Sequence, residues 1–133
     1  MSILQGKKIL VVDDELGPRE SIHIILRKQG AFVIKVENGE DALAILKHNS
    51  FDLITTCLQM SGMNGVDLCM EIKDRGITTP IMIITGFSSN LTDNILERTG
   101  AIDYICKPIN VFGLIKRMEK ALLIPLKVST CSS

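Results

Sequence analysis

Apolar positions along this chain fall into two alternating rhythms: short solid runs, and longer stretches in which apolar residues recur at i, i+3, i+4. The first run, "KKILVV" (7–12), is apolar on consecutive positions, the mark of a strand covered on both faces, and it stops at Asp13 and Asp14. In "LGPRESIHIILRKQG" (16–30), Gly17-Pro18 suits a helix start, Ile22, Ile25 and Leu26 share one side, and Gly30 suits a stop. The unit then repeats. "AFVIKV" (31–36) predicts a second strand, and Asn38 caps a helix running through Asp41 to His48 with Leu43 and Leu46 inward. "FDLITTC" (51–57) is the third strand and "GVDLCMEIKDRG" (65–76) the third helix, with Val66, Cys69 and Ile72 on a shared side. "PIMIIT" (80–85), "NLTDNILERTG" (90–100) and "AIDYICK" (101–107) predict a fourth strand, a less apolar fourth helix and a fifth strand. "VFGLIKRMEKALL" (111–123) closes the pattern with a stripe of Val111, Leu114, Ile115, Met118 and Leu122.

Strands alternating with helices in this way describe an α/β fold with a parallel sheet, because each parallel connection needs a crossover that places a helix on a face. One domain over residues 1–124 accounts for the pattern, and residues 125–133 have no helical stripe and read as a tail or linker. In open parallel sheets ligands bind beyond the carboxyl ends of the strands, where strand order reverses. The residues at those ends are Asp13 and Asp14 (with Glu15 next), Cys57, Thr85, and Lys107 followed by Pro108. Two carboxylates, a hydroxyl and an amine converging on one crevice suit a hard divalent cation such as Mg²⁺ together with a phosphoryl group.

The segments "ILVVDDE", "VENGEDALAIL", "FDLI", "MSGMNGVDL", "PIMIITG" and "GAIDYICKP" stand in an order and spacing that resembles the receiver domain of bacterial two-component response regulators, over about residues 6 to 123. The resemblance implies a doubly wound, flavodoxin-like sheet of order 2-1-3-4-5. It implies that Asp13 and Asp14 are the acidic pair that holds a metal, Thr85 the switch hydroxyl, Lys107 the phosphoryl-binding lysine and Tyr104 the rotating aromatic. It also implies a signalling module rather than an enzyme, which meets a sensor histidine kinase or phosphotransfer protein, acts on an output domain or effector through the face of helix four, strand five and helix five, and dimerises through that face with Arg98, Asp103 and Arg117 available for cross-pairs. Two positions depart from the family pattern. The phosphoacceptor aspartate at the end of strand three is Cys57, and the usual proline of the following loop is Ser61.

A thiol at 57 removes both the carboxylate that accepts the phosphoryl group and an oxygen ligand for Mg²⁺, so ordinary aspartate phosphorylation is not expected and any Mg²⁺ site is weakened. Cys57 is then an inert packing thiol, a replacement that silences an otherwise ordinary receiver, or a redox-active thiol. Lys107 would lower its pKa and the two aspartates would raise it, leaving the sign open. A bridge to Cys106 is disfavoured, because strands three and five flank strand four and lie about 9 to 10 Å apart at the usual spacing. A cysteine phosphatase loop is disfavoured as well, since no arginine follows in "LQMSGMNG".

Composition narrows the partners. With 15 basic and 15 acidic residues the net charge is zero, so no global field gathers nucleic acid or anionic lipid, and Lys116, Arg117 and Lys120 read as the wet face of a helix. No apolar run approaches the roughly 20 residues of a membrane span, and a cytoplasmic protein with reduced thiols is expected. Cys57, Cys69, Cys106 and Cys131 show no metal-ligand spacing among themselves. His23 reads as a surface helix residue and His48 as a cation near a helix end.

Overall fold

The computed structural model describes residues 2–86 and 94–123. In chain order its elements are β1 (Lys8–Val12), α1 (Leu16–Lys28), β2 (Phe32–Val36), α2 (Gly39–Leu46), β3 (Leu53–Thr56), α3 (Gly65–Asp74), β4 (Ile81–Thr85), α4 (Ile95–Thr99), β5 (Asp103–Cys106) and α5 (Val111–Leu123). The strands form one parallel sheet in the order β2-β1-β3-β4-β5, as expected. The residues anticipated as a C-terminal tail, and the first residues of the anticipated fourth helix, lie outside those described.

The solid apolar runs belong to the central strands because successive side chains point to opposite faces and both faces are covered. Leu10 and Val12 of β1 pack with Ile54, Ile81 and Ile83 beneath α2, α3 and α4. Ile9 and Val11 pack on the other side with Leu53, Met82 and Ile84, beneath α1 and α5. The edge strands β2 and β5 are only partly covered, and their apolar content is correspondingly diluted.

Most local expectations hold, with informative exceptions. Asn38 caps α2, its Oδ1 accepting from the Asp41 amide at 2.7 Å, and Asn64 caps α3 in the same way toward Asp67 at 2.9 Å. α2 stops at Leu46, so His48 falls in the exposed turn that follows. In α1, Pro18 is the third helical residue rather than the first, still inside the turn whose amides have no helical acceptor. His23 is half-buried rather than fully on the surface. In α3 the fully buried side includes Leu68 beside Cys69 and Ile72, while Val66 is only half-buried. Val111 was expected in the α5 stripe but is 49% exposed; the buried row runs instead through Leu114, Met118 and Ala121.

Gly65 opens α3 against the backbone that follows β3. Its amide donates to the Leu58 carbonyl at 2.7 Å, and a Cβ built on it would collide with the Cys57 carbonyl oxygen. No side chain fits there, which lets the helix start directly beneath the loop that carries Cys57. Gly65→Ala is therefore expected to lower unfolding stability by roughly 1 to 3 kcal/mol, the usual overpacking penalty. Gly17→Ala, where an added Cβ meets nothing within 4 Å, should be neutral or slightly stabilising. Urea denaturation of the two variants checks this; equal stability of the two would contradict the close approach.

Candidate functional site

The carboxyl ends of β1, β3, β4 and β5 meet at one edge of the sheet, and the backbone ties them together. The Cys57 amide donates to the Val12 carbonyl at 3.1 Å and the Lys107 amide to the Thr85 carbonyl at 2.7 Å. Side chains at these ends line a shallow cleft of about 600 Å³, in which Asp14, Cys57, Thr85 and Lys107 are joined by Glu15, Gly86 and the loop from Leu58 to Ser61. Asp13 stands beside it, bonded to Lys107 and near Asp14 and Cys57.

Asp13 is 2% exposed, and both of its oxygens are engaged. Oδ1 accepts from the Glu15 amide at 2.9 Å, and Oδ2 accepts from the Lys107 ammonium at 3.0 Å. Lys107 also reaches Glu15 Oε1 at 3.2 Å, so a single ammonium spans a buried and an exposed carboxylate. Burial pulls the Lys107 pKa down, but the hydrogen bond and charge of Asp13, followed by those of Glu15, more than offset it and leave it raised. It carries its proton throughout the neutral range. The Arg19 guanidinium donates to the Asp13 carbonyl at 3.0 Å, tying the first turns of α1 to the end of β1.

Cys57 follows directly on β3 and is 5% exposed, with Sγ donating weakly to the Gln59 carbonyl at 3.5 Å. Its thiol is pushed up to about 12, first by burial and then by the Asp13 charge, with Asp14 adding to the rise. A hydrogen bond involving the Asp14 backbone and the charge of Lys107 act in the opposite direction and are outweighed. The balance left open by the residue types alone is thus decided by burial. Asp13, Asp14 and Cys57 each offer a ligand atom, and these atoms all lie within 4.8 Å of one another.

Thr85 is buried at the cleft's edge. Tyr104 stands apart: it pairs with Ile83 in the sheet register and packs half-buried against the core, outside the cleft. Cys106 pairs with Thr85, two strands from β3. Asp103 and Arg117, both expected at a face between copies, pair with each other within the chain at 2.8 Å, and Arg117 also donates to the Tyr104 carbonyl at 2.9 Å. Glu15 was noted only as the residue after the acidic pair and Gly65 only as the start of a helix; nothing in their types announced the lysine contact of the one or the close backbone approach of the other.

Over residues 9–119 the chain matches the response regulator receiver domain family. It belongs to that family. Transcriptional regulatory protein ZraR of Salmonella typhimurium is 37% identical over 121 residues, which are 90% of this chain and 27% of that protein. DNA-binding response regulator MtrA of Mycolicibacterium paratuberculosis is 32% identical over 117 residues, 87% of this chain and 51% of that protein. This receiver thus spans about a quarter to a half of the length of these curated relatives. Chemotaxis response regulator CheY4 of Vibrio cholerae has a TM-score of 0.81 at 26% identity, covering 88% of this chain and 99% of that one. Response regulator TrrA of Thermotoga maritima, in complex with Mg²⁺-BeF, has a TM-score of 0.79 at 32% identity with the same coverage. Among the described residues of this receiver no helix is long and apolar enough to cross a membrane.

Receiver domains are signalling modules that typically bind Mg²⁺ at an acidic site. The donor set here is two carboxylates and a thiol. Mg²⁺ demands oxygen ligands in near-octahedral geometry and gives up its water reluctantly, so a sulfur in the set does not suit it.

A buried thiol with a pKa near 12 reacts slowly and has no plateau in reach. Alkylation of Cys57 by iodoacetamide should be slower than that of half-buried Cys106 at neutral pH, and its rate should still climb with pH beyond pH 10. Peptide mapping after timed labelling reads both rates. Faster labelling of Cys57, or a rate that levels off below pH 9, would contradict the burial argument.

Proposed function

We propose that this chain is a receiver unit for two-component phosphorelay signalling whose phosphoacceptor position is occupied by Cys57, and which does not take up a phosphoryl group by the ordinary route. The observation that carries the proposal is the thiol at the carboxyl end of β3, beside Asp13 and Asp14 and in the same cleft as Thr85 and Lys107. In this reading Asp13 and Asp14 form the acidic pocket, Lys107 is the cation for phosphoryl oxygens, Thr85 the switch hydroxyl and Tyr104 the aromatic that follows it. A carboxylate at 57 is anionic at neutral pH and can attack phosphorus directly. The Cys57 thiol is neutral there, and it has lost the oxygen that the metal needs.

The partner is a histidine kinase or phosphotransfer protein, and the response passes to an output domain or effector through the face made by α4, β5 and α5. The names of its relatives, a transcriptional regulator and a DNA-binding response regulator, support an output that acts on DNA in a longer protein. The receiver unit is residues 1–124, with residues 125–133 a tail or linker. Without the phosphoryl trigger, the balance of conformations is set by the sequence and by partner binding, which shifts it only through differential affinity. A dimer through the same face leaves the Asp103–Arg117 pair intact or exchanges it between copies. The thiol-sensor alternative is weakened by the upward pKa shift and burial of Cys57, because sensor thiols are exposed and low in pKa.

Intact mass after incubation with acetyl phosphate and Mg²⁺ tests the proposal. The Cys57→Asp form should gain one phosphoryl group and the unsubstituted chain none. Uptake at Cys57 itself, or none by either form, would overturn the reading.

A further inference from the structure

The cluster at the carboxyl ends of β1 and β3 raises a question that the receiver reading leaves open, namely what a site built from two carboxylates and a thiol does bind. Asp13 and Cys57 are buried, Asp14 is exposed at the mouth, and their ligand atoms lie within 4.8 Å of one another. A tetrahedral metal with bonds of about 2.0 to 2.3 Å needs its ligands somewhat closer than that, so the three side chains must close in on binding. Sulfur beside carboxylate is a poor set for Mg²⁺ but a good one for a borderline-soft ion, and three protein donors with a fourth position for water is a common arrangement around zinc.

From this mixed donor set we infer that Asp13, Asp14 and Cys57 form a site for a thiophilic divalent cation of the zinc class, so that replacing oxygen by sulfur at 57 changes which metal the receiver binds. This rests on the reading of Cys57 as the replaced acceptor and deepens it. On binding, the Cys57 proton passes to solvent and a metal–sulfur bond takes its place. The cation supplies the positive charge that offsets the two aspartates around the sulfur. Lys107 keeps a partner in Glu15 if Asp13 turns toward the metal. Cys69 is sealed in the core, with no exposed surface. Because the fold contains other thiols, the assignment depends on residue 57 rather than on metal uptake alone.

The test is a titration of the full chain, reduced and stripped with a chelator, with Co²⁺ as a spectroscopic stand-in and Zn²⁺ in competition. One equivalent of Co²⁺ should produce a sulfur-to-cobalt charge-transfer band that one equivalent of Zn²⁺ removes and a large excess of Mg²⁺ does not. Cys57→Ser should abolish the band and weaken Zn²⁺ binding by at least the roughly tenfold that even an outer partner of a metal ligand is worth. Circular dichroism confirms that the variant is folded, and Cys69→Ser should retain the band. Absence of the band in the unsubstituted chain, or its persistence in folded Cys57→Ser, overturns the assignment. Where the assignment fails, phosphorylation of Cys57→Asp by acetyl phosphate leaves the receiver reading standing, and no phosphorylation of it takes both down.

Discussion

Everything at the candidate site depends on the parallel register of the sheet. Parallel pairing points the strands the same way, so residues distant in sequence are delivered to one edge by backbone hydrogen bonds alone. The amide of Cys57 on the carbonyl of Val12 joins the ends of β1 and β3, the amide of Lys107 on that of Thr85 joins those of β4 and β5, and the β3–β4 register holds the two pairs together. A slip of one residue in any strand would turn its end side chain to the opposite face. The register is held in turn by the two apolar layers, because Ile9 and Val11 belong to one and Leu10 and Val12 to the other.

On that platform the chemistry is a contest of charges around a small buried volume. Asp13 is almost wholly out of water, and its two oxygens accept from the Glu15 amide and the Lys107 ammonium. Burying a carboxylate in this way is tolerable only with such partners. Cys57 meets the opposite circumstances. It is buried beside two carboxylates, and Lys107 is already committed to Asp13 and Glu15, so its neutral form wins. The same neighbours therefore hold the thiol in its neutral form.

Much of this was legible from residue types, and the gaps have physical causes. The central strands announced themselves as unbroken apolar runs, and Asn38 as a cap, because burial on two faces and an unsatisfied helix terminus leave direct marks on composition. Asp13, Asp14, Cys57, Thr85 and Lys107 could be gathered because a parallel sheet collects its strand ends. What Glu15 and Gly65 do there could not be read in the same way. The role of Glu15 depends on where one lysine reaches across the cleft, and that of Gly65 on a backbone approach from β3, both tertiary facts. Val111 was misplaced for a related reason: helical periodicity marks a side, and only the helix's position over the sheet decides how far along that side burial begins. The direction of the Cys57 shift turned on burial, which residue types do not show.

The central claim is that the strand-end cluster is an intact receiver pocket and that the side chain at 57 alone decides what it accepts. Amide NMR spectra of the unsubstituted chain and of Cys57→Asp, each titrated with Mg²⁺ and beryllium fluoride, test it most directly. The account predicts that only the Asp form responds, with shifts at Asp13, Asp14, Thr85 and Lys107 that spread to Tyr104. The same shifts in the unsubstituted chain, or a silent Asp form, would contradict it.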